Sequence, residues 1–271
     1  TGTRNQAFGL DALKENTTGV DNTAIGYNCM DANTTGAMNT AVGSYAFDAN
    51  TTGDENTSMG YGALTSNTGG DHNTALGRGS MRDSTTGNDN TAVGTFALDE
   101  NQTGSNNVAV GFEALDKNTT ADNNTAVGYK SLAKCTTGGD NTAHGYVASF
   151  QITTGGFNTH VGYAAGYEVT TGDNNLLLGR NAGRASSPSG SITTGNNKVV
   201  LGDDNITDLF CADTSISNSD SRDKTDVTDF TKGLDWIKAL RPVTYRWDRR
   251  TWYGTDEEPY GIPDGSKKRT K

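Results

Sequence analysis

Polar and apolar positions in the first 200 residues follow one pattern that returns every 17 residues. The pattern is close to Asn-Thr-Ala-Val-Gly-Tyr-x-Ala-Leu-x-x-Asn-Thr-Thr-Gly-x-Asp, and we number its positions 1 to 17 from the leading asparagine. A fixed period of this size indicates a repeat architecture. The leading asparagines of eleven successive copies are Asn5, Asn22, Asn39, Asn56, Asn73, Asn90, Asn107, Asn124, Asn141, Asn158 and Asn175.

Each copy predicts one coil of an all-β, parallel β-solenoid. The period is too long for a helical heptad and too short for a helix pair, and the Asn-Thr-Ala-Val-Gly segment is typical of a short strand. The closing glycine suits a positive φ or a close backbone approach. We expect the Thr-Thr-Gly segment to supply a second strand and a turn. Coils stacked about 4.8 Å apart predict a rod of roughly 50 Å.

A twelfth, looser copy is expected from Asn197 to Gly202, after an insertion at 186–190. The solenoid shaft is therefore predicted to occupy residues 1–202, with 203–218 as a linker and a different domain in 219–271. Composition supports this division, because all three tryptophans and three of the four prolines follow residue 218, whereas 31 of the 35 glycines precede it.

The alternation within the strand indicates that both of its sides are covered. Positions 2 and 4, such as Thr91 and Val93, point one way, and the alanine between them points the other way. None of these three positions carries a charge in any of the eleven copies. We infer that one side packs inside the coil and the other against a neighbouring copy of the chain, which predicts a homo-oligomer, most simply a homotrimer.

The segments Asn-Thr-Ala-Ile-Gly-Tyr at 22–27 and Asn-Thr-Ala-Val-Gly at 39–43 resemble the head repeat of trimeric autotransporter adhesins. The resemblance covers about 200 residues and implies a YadA-like parallel β-roll that assembles as a trimer. Those head repeats are commonly a few residues shorter than 17, so the extra residues are expected to lengthen the Asn-Thr-Thr-Gly turn. The resemblance implies fold and trimer more directly than any ligand.

Charge and composition exclude several classes of function. The chain is 32% hydrophobic with a formal net charge of −10, which argues against binding to nucleic acid or to an anionic membrane surface. No stretch approaches the apolar length of a spanning helix, so no membrane insertion is expected. The cysteines, Cys29, Cys135 and Cys211, have unrelated spacings and suggest neither a disulfide framework nor a thiolate site.

Aromatic residues at position 6 form the main candidate ligand surface. They suit either stacking with the sugars of a host glycan or packing at a seam between subunits. Tyr45 and Phe96 lie one place later. The candidate receptor or glycan residues are Tyr27, Tyr61, Phe112, Tyr129, Tyr146 and Tyr163.

Other candidate chemistry on the shaft is weaker. Acidic and amide residues before each strand suit calcium ligands, but in turns they more often bond backbone groups, and His72, His144 and His160 occupy different repeat positions. We therefore expect neither metal nor cofactor. Rows of threonine, such as the pair Thr85 and Thr86, leave ice binding open as an alternative function.

The region 219–271 has a different pattern, which predicts the start of an α+β domain. Val227, Phe230, Leu234 and Ile237 recur at intervals of three and four, as on one face of a helix of about 12 residues. Pro242 ends this helix, and a strand is expected at 243–247.

Two segments here closely resemble the intramolecular chaperone auto-processing domain of phage tail spikes and fibres, the endosialidase-type peptidase family. They are Ser-Asp-Ser-Arg-Asp-Lys at 219–224 and the run from Gly233 to Trp247. The resemblance implies Ser219 as nucleophile and Lys224 as its partner, with cleavage between Asn218 and Ser219. That family's domain continues for about fifty or more residues beyond this point, so the chain is expected to be part of a longer protein.

Together these patterns predict a structural fibre of a virus, either a phage tail fibre or a capsid appendage, that serves host attachment. Its expected partners are two further copies of itself, other virion proteins, and a host glycan or protein receptor. Its expected location is the virion after assembly in the host cytoplasm, and any enzymatic activity is expected to be one self-cleavage. The alternatives are a bacterial trimeric surface adhesin and an ice-binding solenoid.

Overall fold

A computed structural model describes residues 2–208 as one parallel β-solenoid, with no helix in that range. Each coil contributes a three-residue strand, and the strands follow in chain order across a single sheet. The predicted fold class is confirmed. The strands are β1 (Gln6–Phe8), β2 (Thr23–Ile25), β3 (Thr40–Val42), β4 (Thr57–Met59), β5 (Thr74–Leu76), β6 (Thr91–Val93), β7 (Val108–Val110), β8 (Thr125–Val127), β9 (Thr142–His144), β10 (Thr159–Val161), β11 (Leu176–Leu178) and β12 (Val199–Leu201).

Neighbouring strands from β1 to β11 pair each residue with the one 17 places later, as Ala75 pairs with Ala92. The glycine at position 5 ends each strand in a conformation that other residues rarely adopt. Gly94 has φ 137°, and an added Cβ there would lie 2.5 Å from the carbonyl oxygen of Gly111 in the next coil. Position 5 therefore requires glycine for two reasons, its positive φ and the close approach of the next coil's backbone.

Three further positions per coil, 7, 9 and 17, are left-handed and mostly not glycine. In coil 6, for example, Phe96, Leu98 and Asn106 have φ values of 55°, 55° and 59°. Such conformations are uncommon for large side chains, and the surrounding coils must hold them in place. They turn the chain tightly enough to complete one coil in 17 residues.

The expected second strand at Thr-Thr-Gly is wrong, because this segment is a turn. The backbone N–H groups of Thr17, Thr18 and Gly19 all donate to one acceptor, the carbonyl oxygen of Thr34, at 2.9, 3.1 and 3.4 Å. A strand ladder would distribute these bonds over successive carbonyl groups. The turn still ties each coil to the next, but through convergent bonds rather than a second sheet.

The interior is built from columns of equivalent residues that stack along the solenoid. Position 3 is a fully buried small residue in most coils, as at Ala92, and position 9 is a large apolar one, as at Leu98. Position 1 is a buried asparagine that joins adjacent coils. The Oδ1 atom of Asn90 accepts a hydrogen bond from the backbone N–H of Asn107 at 2.9 Å, and its Nδ2 donates to the carbonyl oxygen of Gly104 at 2.9 Å.

The last coil follows a larger insertion than predicted. Leu176 pairs with Val199, a spacing of 23 residues, so six residues are added rather than five. The position-1 residue of this coil is therefore Lys198, whose backbone N–H donates to Asn175 Oδ1 at 3.0 Å, and the prediction of Asn197 is wrong by one place. Nothing in residues 2–208 has the length and apolarity of a membrane-spanning helix.

Candidate functional site

The outward side of the sheet forms a face that runs the length of the solenoid, with no Lys, Arg, Asp or Glu at positions 2 and 4 and with Arg78, Arg180 and Asp203 at position 6. We call its three rows the threonine column (position 2), the aliphatic column (position 4) and the aromatic column (position 6), and together the sheet face. In coil 6 the flanking residues Thr91 and Val93 are partly or largely exposed, while Ala92 between them is fully buried. The burial pattern confirms the predicted alternation of side-chain direction.

Most of the exposed apolar surface of residues 2–208 lies on this sheet face. Residues 2–208 expose eighteen large hydrophobic side chains, and three of them, Met38, Phe157 and Ile206, lie outside the three columns of the sheet face. The other fifteen are Phe8, Leu10, Ile25, Tyr27, Met59, Tyr61, Val93, Phe112, Tyr129, Tyr146, Val161, Tyr163, Leu176, Val199 and Leu201. One side of the solenoid is therefore apolar, and the rest is polar.

The aromatic column divides into two groups that differ in geometry. In coils 7–10, Phe112, Tyr129, Tyr146 and Tyr163 form a parallel stack with centroid distances of 5.5, 5.0 and 5.2 Å and interplanar angles of 11°, 8° and 4°. These four residues are called the ring stack below. Because neighbouring rings cover one another's faces, the stack presents mainly ring edges and the tyrosine hydroxyl groups to a partner.

The tyrosines near the N-terminal end of the sheet face make a looser group. Tyr45, at position 7, lies edge-on between Tyr27 and Tyr61, at centroid distances of 5.3 and 6.0 Å. Tyr27 and Tyr61 are 42% and 59% exposed. The predicted ladder thus consists of two separate clusters, of which only the ring stack is continuous from coil to coil.

A second stacked pair lies outside the sheet face and was not singled out in the sequence. Phe150 and Tyr167, both at position 10, stack at 5.3 Å and 8°. Lys134 Nζ lies 5.0 Å from the centroid of the first ring, and the Arg184 guanidinium lies 4.8 Å from that of the second. The 17-residue spacing of the two rings is a signal that would have indicated this pair.

The two histidines that replace apolar residues occupy opposite sides of the sheet. His144 is exposed in the aliphatic column between Val127 and Val161. His160 is fully buried at position 3, where its Nδ1 lies 2.7 Å from Ser149 Oγ and its Nε2 has no hydrogen-bond partner among the described residues. Burial lowers the pKa of His160 to about 3, so its imidazole is neutral in the folded solenoid.

The acidic turns mainly bond backbone groups of adjacent coils. Asp54 Oδ1 accepts a hydrogen bond from the backbone N–H of Ala37 at 2.7 Å, and Asp71 Oδ1 accepts one from Asp54 at 2.8 Å. Within residues 2–208 no three His, Cys, Asp or Glu side chains are grouped so as to hold a metal ion. The turn carboxylates therefore tie adjacent coils together through hydrogen bonds with backbone groups.

The threonine pairs are only half available for contact. The first hydroxyl of a pair bonds the next coil, as Thr85 Oγ1 donates to the carbonyl oxygen of Gln102 at 2.8 Å, whereas its neighbour Thr86 is exposed. Only the second hydroxyl of this pair is therefore free of the neighbouring coil, which leaves a surface row one hydroxyl wide.

Cys29 and Cys135 are buried, and burial raises the pKa of each thiol to about 11, which makes them unreactive at neutral pH. The predicted catalytic and cleavage residues Ser219, Lys224 and Asn218 lie outside the described residues. So do Cys211 and the predicted helix and strand of the region 219–271.

Residues 219–269 match a protein family described as chaperone of endosialidase. No curated protein and no solved structure matches the chain. The family match covers the region with the predicted nucleophile at its first position. A β-solenoid followed by a segment similar to this chaperone family fits a tail-fibre-like protein.

Proposed function

We propose that this chain is the shaft of a homotrimeric viral fibre, a phage tail fibre or capsid appendage, that holds a host-attachment function away from the particle. The observation that carries the proposal is the combination of a largely apolar sheet face with a following segment similar to a fibre chaperone family. The sheet face supplies the surface through which copies associate, and the chaperone segment supports their assembly.

The size of the exposed face supports self-association. Fifteen large apolar side chains are exposed on it, and at roughly half exposure they amount to about 1,000 Å² per chain. A specific interface buries about 800 Å² per partner, and the largest apolar patch of a typical monomer is about 300–600 Å². A face of this extent on an isolated chain would favour aggregation, and a second and third copy would cover all of it except the aromatic column at Tyr27 and Tyr61.

The same reasoning favours packing for the ring stack over direct sugar stacking. A sugar binds best over an open ring face, and the faces of Tyr129 and Tyr146 are covered by their neighbours in the stack. The more open Tyr27 and Tyr61 remain the better candidates for a glycan or protein receptor. Receptor binding on the shaft is thus proposed for coils 2 and 4 and seam packing for coils 7–10.

The chaperone segment is proposed to separate from the shaft by one self-cleavage. A serine hydroxyl becomes an effective nucleophile when a neighbouring base removes its proton, and a lysine can do so if its pKa is lowered. Lys224 would accept the proton of Ser219, whose Oγ attacks the carbonyl carbon of Asn218. The peptide C–N bond then breaks as Lys224 gives this proton to the leaving nitrogen of Ser219, and water hydrolyses the resulting ester. The products are a shaft ending at Asn218 and a segment beginning with Ser219.

One experiment tests both parts of the proposal. The gene containing the full chain is expressed as wild type and as Ser219→Ala, and each product is examined by native and denaturing mass spectrometry. We expect a trimer in both, and a separate C-terminal fragment in the wild type only. A monomeric shaft contradicts the fibre, whereas a trimer without fragment contradicts only the self-cleavage. Lys224→Gln is expected to behave as Ser219→Ala.

The alternatives make different demands. An ice-binding solenoid needs a broad planar array of hydroxyl groups, and the exposed threonine row is one hydroxyl wide, so thermal hysteresis is not expected. A bacterial surface adhesin would share the trimeric shaft. It is distinguished by whether the gene lies among virion genes or beside secretion and membrane-anchor segments.

A further inference from the structure

The sheet face repeats so closely that most of it cannot distinguish one alignment of copies from the next. Position 2 is threonine in coils 2–6 and again in coils 8–10, and position 4 is aliphatic in almost every coil. A copy that slips along its neighbour by one coil places threonine on threonine and aliphatic on aliphatic again. Such a slip of about 4.8 Å leaves these contacts unchanged.

Coils 7–10 interrupt this repetition at two features of the same face. The ring stack, Phe112 to Tyr163, is a block of four aromatic side chains bounded by Thr95 in coil 6 and Arg180 in coil 11. Within the same block, His144 is the one residue of the aliphatic column in the twelve strands that is not apolar. Both features are exposed on the side of the sheet that faces away from the interior.

We propose that the ring stack and His144 fix the axial register in which copies of this chain pair. This inference rests on the proposed self-association through the sheet face, and its occupant is a second copy of the same chain. It assigns a specificity role to coils 7–10 that the other coils do not share.

The physical basis is the difference between matched and slipped contacts. In register, the four rings of one copy lie at the heights of the partner's four rings, and ring edges meet rings, an arrangement that aromatic pairs favour. A slip of one coil leaves one ring of each block facing threonine or the exposed Arg180. It also moves the imidazole of His144 from the level of the partner's imidazole to the level of valine side chains. A lone polar group within an apolar seam disfavours every alignment in which it is unpaired, as a buried asparagine does in coiled coils.

The register can be read by cross-linking cysteines placed on the threonine column outside the block. Thr91→Cys and Thr74→Cys lie one coil apart and are partly exposed, and each is made in the full chain with Cys211→Ser, while the buried Cys29 and Cys135 are left in place. The two chains are co-expressed and joined with a short bis-maleimide. Links between two Thr91→Cys sites report matched copies, and links between Thr91→Cys and Thr74→Cys sites report a slip of one coil.

The decisive variant is Tyr129→Thr/His144→Val/Tyr146→Thr, which gives coils 8 and 9 the residue types that other coils carry. The matched control is Tyr27→Thr/Tyr61→Thr, which removes two exposed rings from outside the block. We expect the ratio of slipped to matched links to rise several-fold in the variant and to remain at the wild-type level in the control, with the trimer retained in both.

Several outcomes would overturn the assignment. An unchanged ratio in the assembled variant shows that register is set elsewhere, for example by the chaperone segment, and an equal rise in the control shows that any loss of aromatic side chains has this effect. If the triple variant does not assemble, the single variant His144→Val is measured instead, because it adds apolar surface to the contact between copies. An unchanged ratio of slipped to matched links in His144→Val refutes the role of His144. A wild-type chain that is monomeric refutes the proposed function itself.

Discussion

Coils 1–7 and coils 10–11 fill the same cross-section with different side chains. In coils 1–7 the large apolar residue is at position 9, as at Leu98, and position 3 is small, as at Ala92. In coils 10 and 11 the large residue is at position 3, as at His160, and position 9 is glycine, as at Gly166. An added Cβ at Gly166 would lie 2.0 Å from His160 Nδ1, so the two positions share one space.

Position 12 changes in the same part of the solenoid. It is asparagine in most of coils 1–7, as at Asn101 and Asn118, and it becomes Cys135, Ile152 and Val169 in coils 8–10, all of them buried. The Cys135 thiol donates to the carbonyl oxygen of Gly138 at 3.1 Å, and Asn118 Nδ2 donates to the equivalent Ala121 at 3.0 Å. The comparison shows that position 12 tolerates a polar or an apolar side chain, and that the large residue of a coil can stand at position 9 or at position 3. Coil 9 has only a small residue at both positions, and His160 of the next coil reaches Ser149 Oγ at 2.7 Å.

The largest expected effect comes from forcing the arrangement of coils 1–7 onto coil 10. Gly166→Leu places a leucine where coils 6–8 carry one, but against His160, and we expect a loss of more than about 3 kcal/mol in the free energy of unfolding. Adding His160→Ala should restore most of this loss, because the pair then matches Leu98 and Ala92. Urea unfolding measures the stability of the single and the double variant. If the losses from Gly166→Leu and His160→Ala simply add in the double variant, the two side chains do not occupy the same space.

Acid sensitivity should come from coil 10. The pKa of His160 is about 3 in the folded chain and about 6.5 when unfolded, so the unfolded state binds the additional proton between these values. Stability is fully present above pH 6.5 and should fall by about 1.4 kcal/mol per pH unit below it. The slope is measured from urea midpoints between pH 7 and 4.5. His160→Ala should abolish this component, and an unchanged slope would show that the imidazole is not buried.

The asparagine columns should differ in importance. Asn90→Ala leaves the buried backbone N–H of Asn107 without its acceptor and is expected to cost about 2 kcal/mol. Asn118→Ile is the control, because coil 9 carries Ile152 at this position and Ala121 keeps a second donor in Asn107. This substitution removes the donor to the side-chain oxygen of Asn101 but leaves the backbone carbonyl of Ala121 paired, and it should cost about 1 kcal/mol by thermal or urea unfolding. Equal losses would mean that both columns are held by the same bonds.

An effect of the opposite sign to that of His160 should come from coil 6. Burial raises the pKa of Asp99 to about 6, although the Arg82 guanidinium lies 2.9 Å from its carboxylate and opposes the rise. The folded state therefore holds the proton more tightly, and stability should increase as the pH falls from about 6.5 towards 4. Asp99→Asn should remove this increase, measured as the change in urea midpoint against pH. A decrease over this range attributable to Asp99 would contradict its burial.

The sequence predicted the solenoid because its period, its strand-forming segments and its glycines all agree. It predicted the outward face from the absence of charge at positions 2 and 4. It did not predict the left-handed backbone at Leu98 or Phe96, because large side chains rarely adopt that conformation and only the stacked coils impose it. The exchange between His160 and Gly166 was also missed, because positions 3 and 9 are six residues apart and meet only in the folded coil.

The site was predicted in its residues more than in its geometry. The aromatic side chains were identified from their recurrence at position 6, but their separation into a tight stack and an edge-on cluster depends on Tyr45 leaving the column by one place. The error at the Thr-Thr-Gly segment has a similar origin, since threonine favours strands in general, but the hydrogen bonds from this segment converge on one carbonyl group of the next coil, that of Thr34.

Because paired strands from β1 to β11 are 17 residues apart, the length of the solenoid is set by the number of repeats that the gene encodes. Duplicating or deleting 51 nucleotides would lengthen or shorten the solenoid by one step of about 4.8 Å, with no new junction to accommodate. Unequal recombination between near-identical stretches would thus adjust the reach of the fibre during evolution one coil at a time.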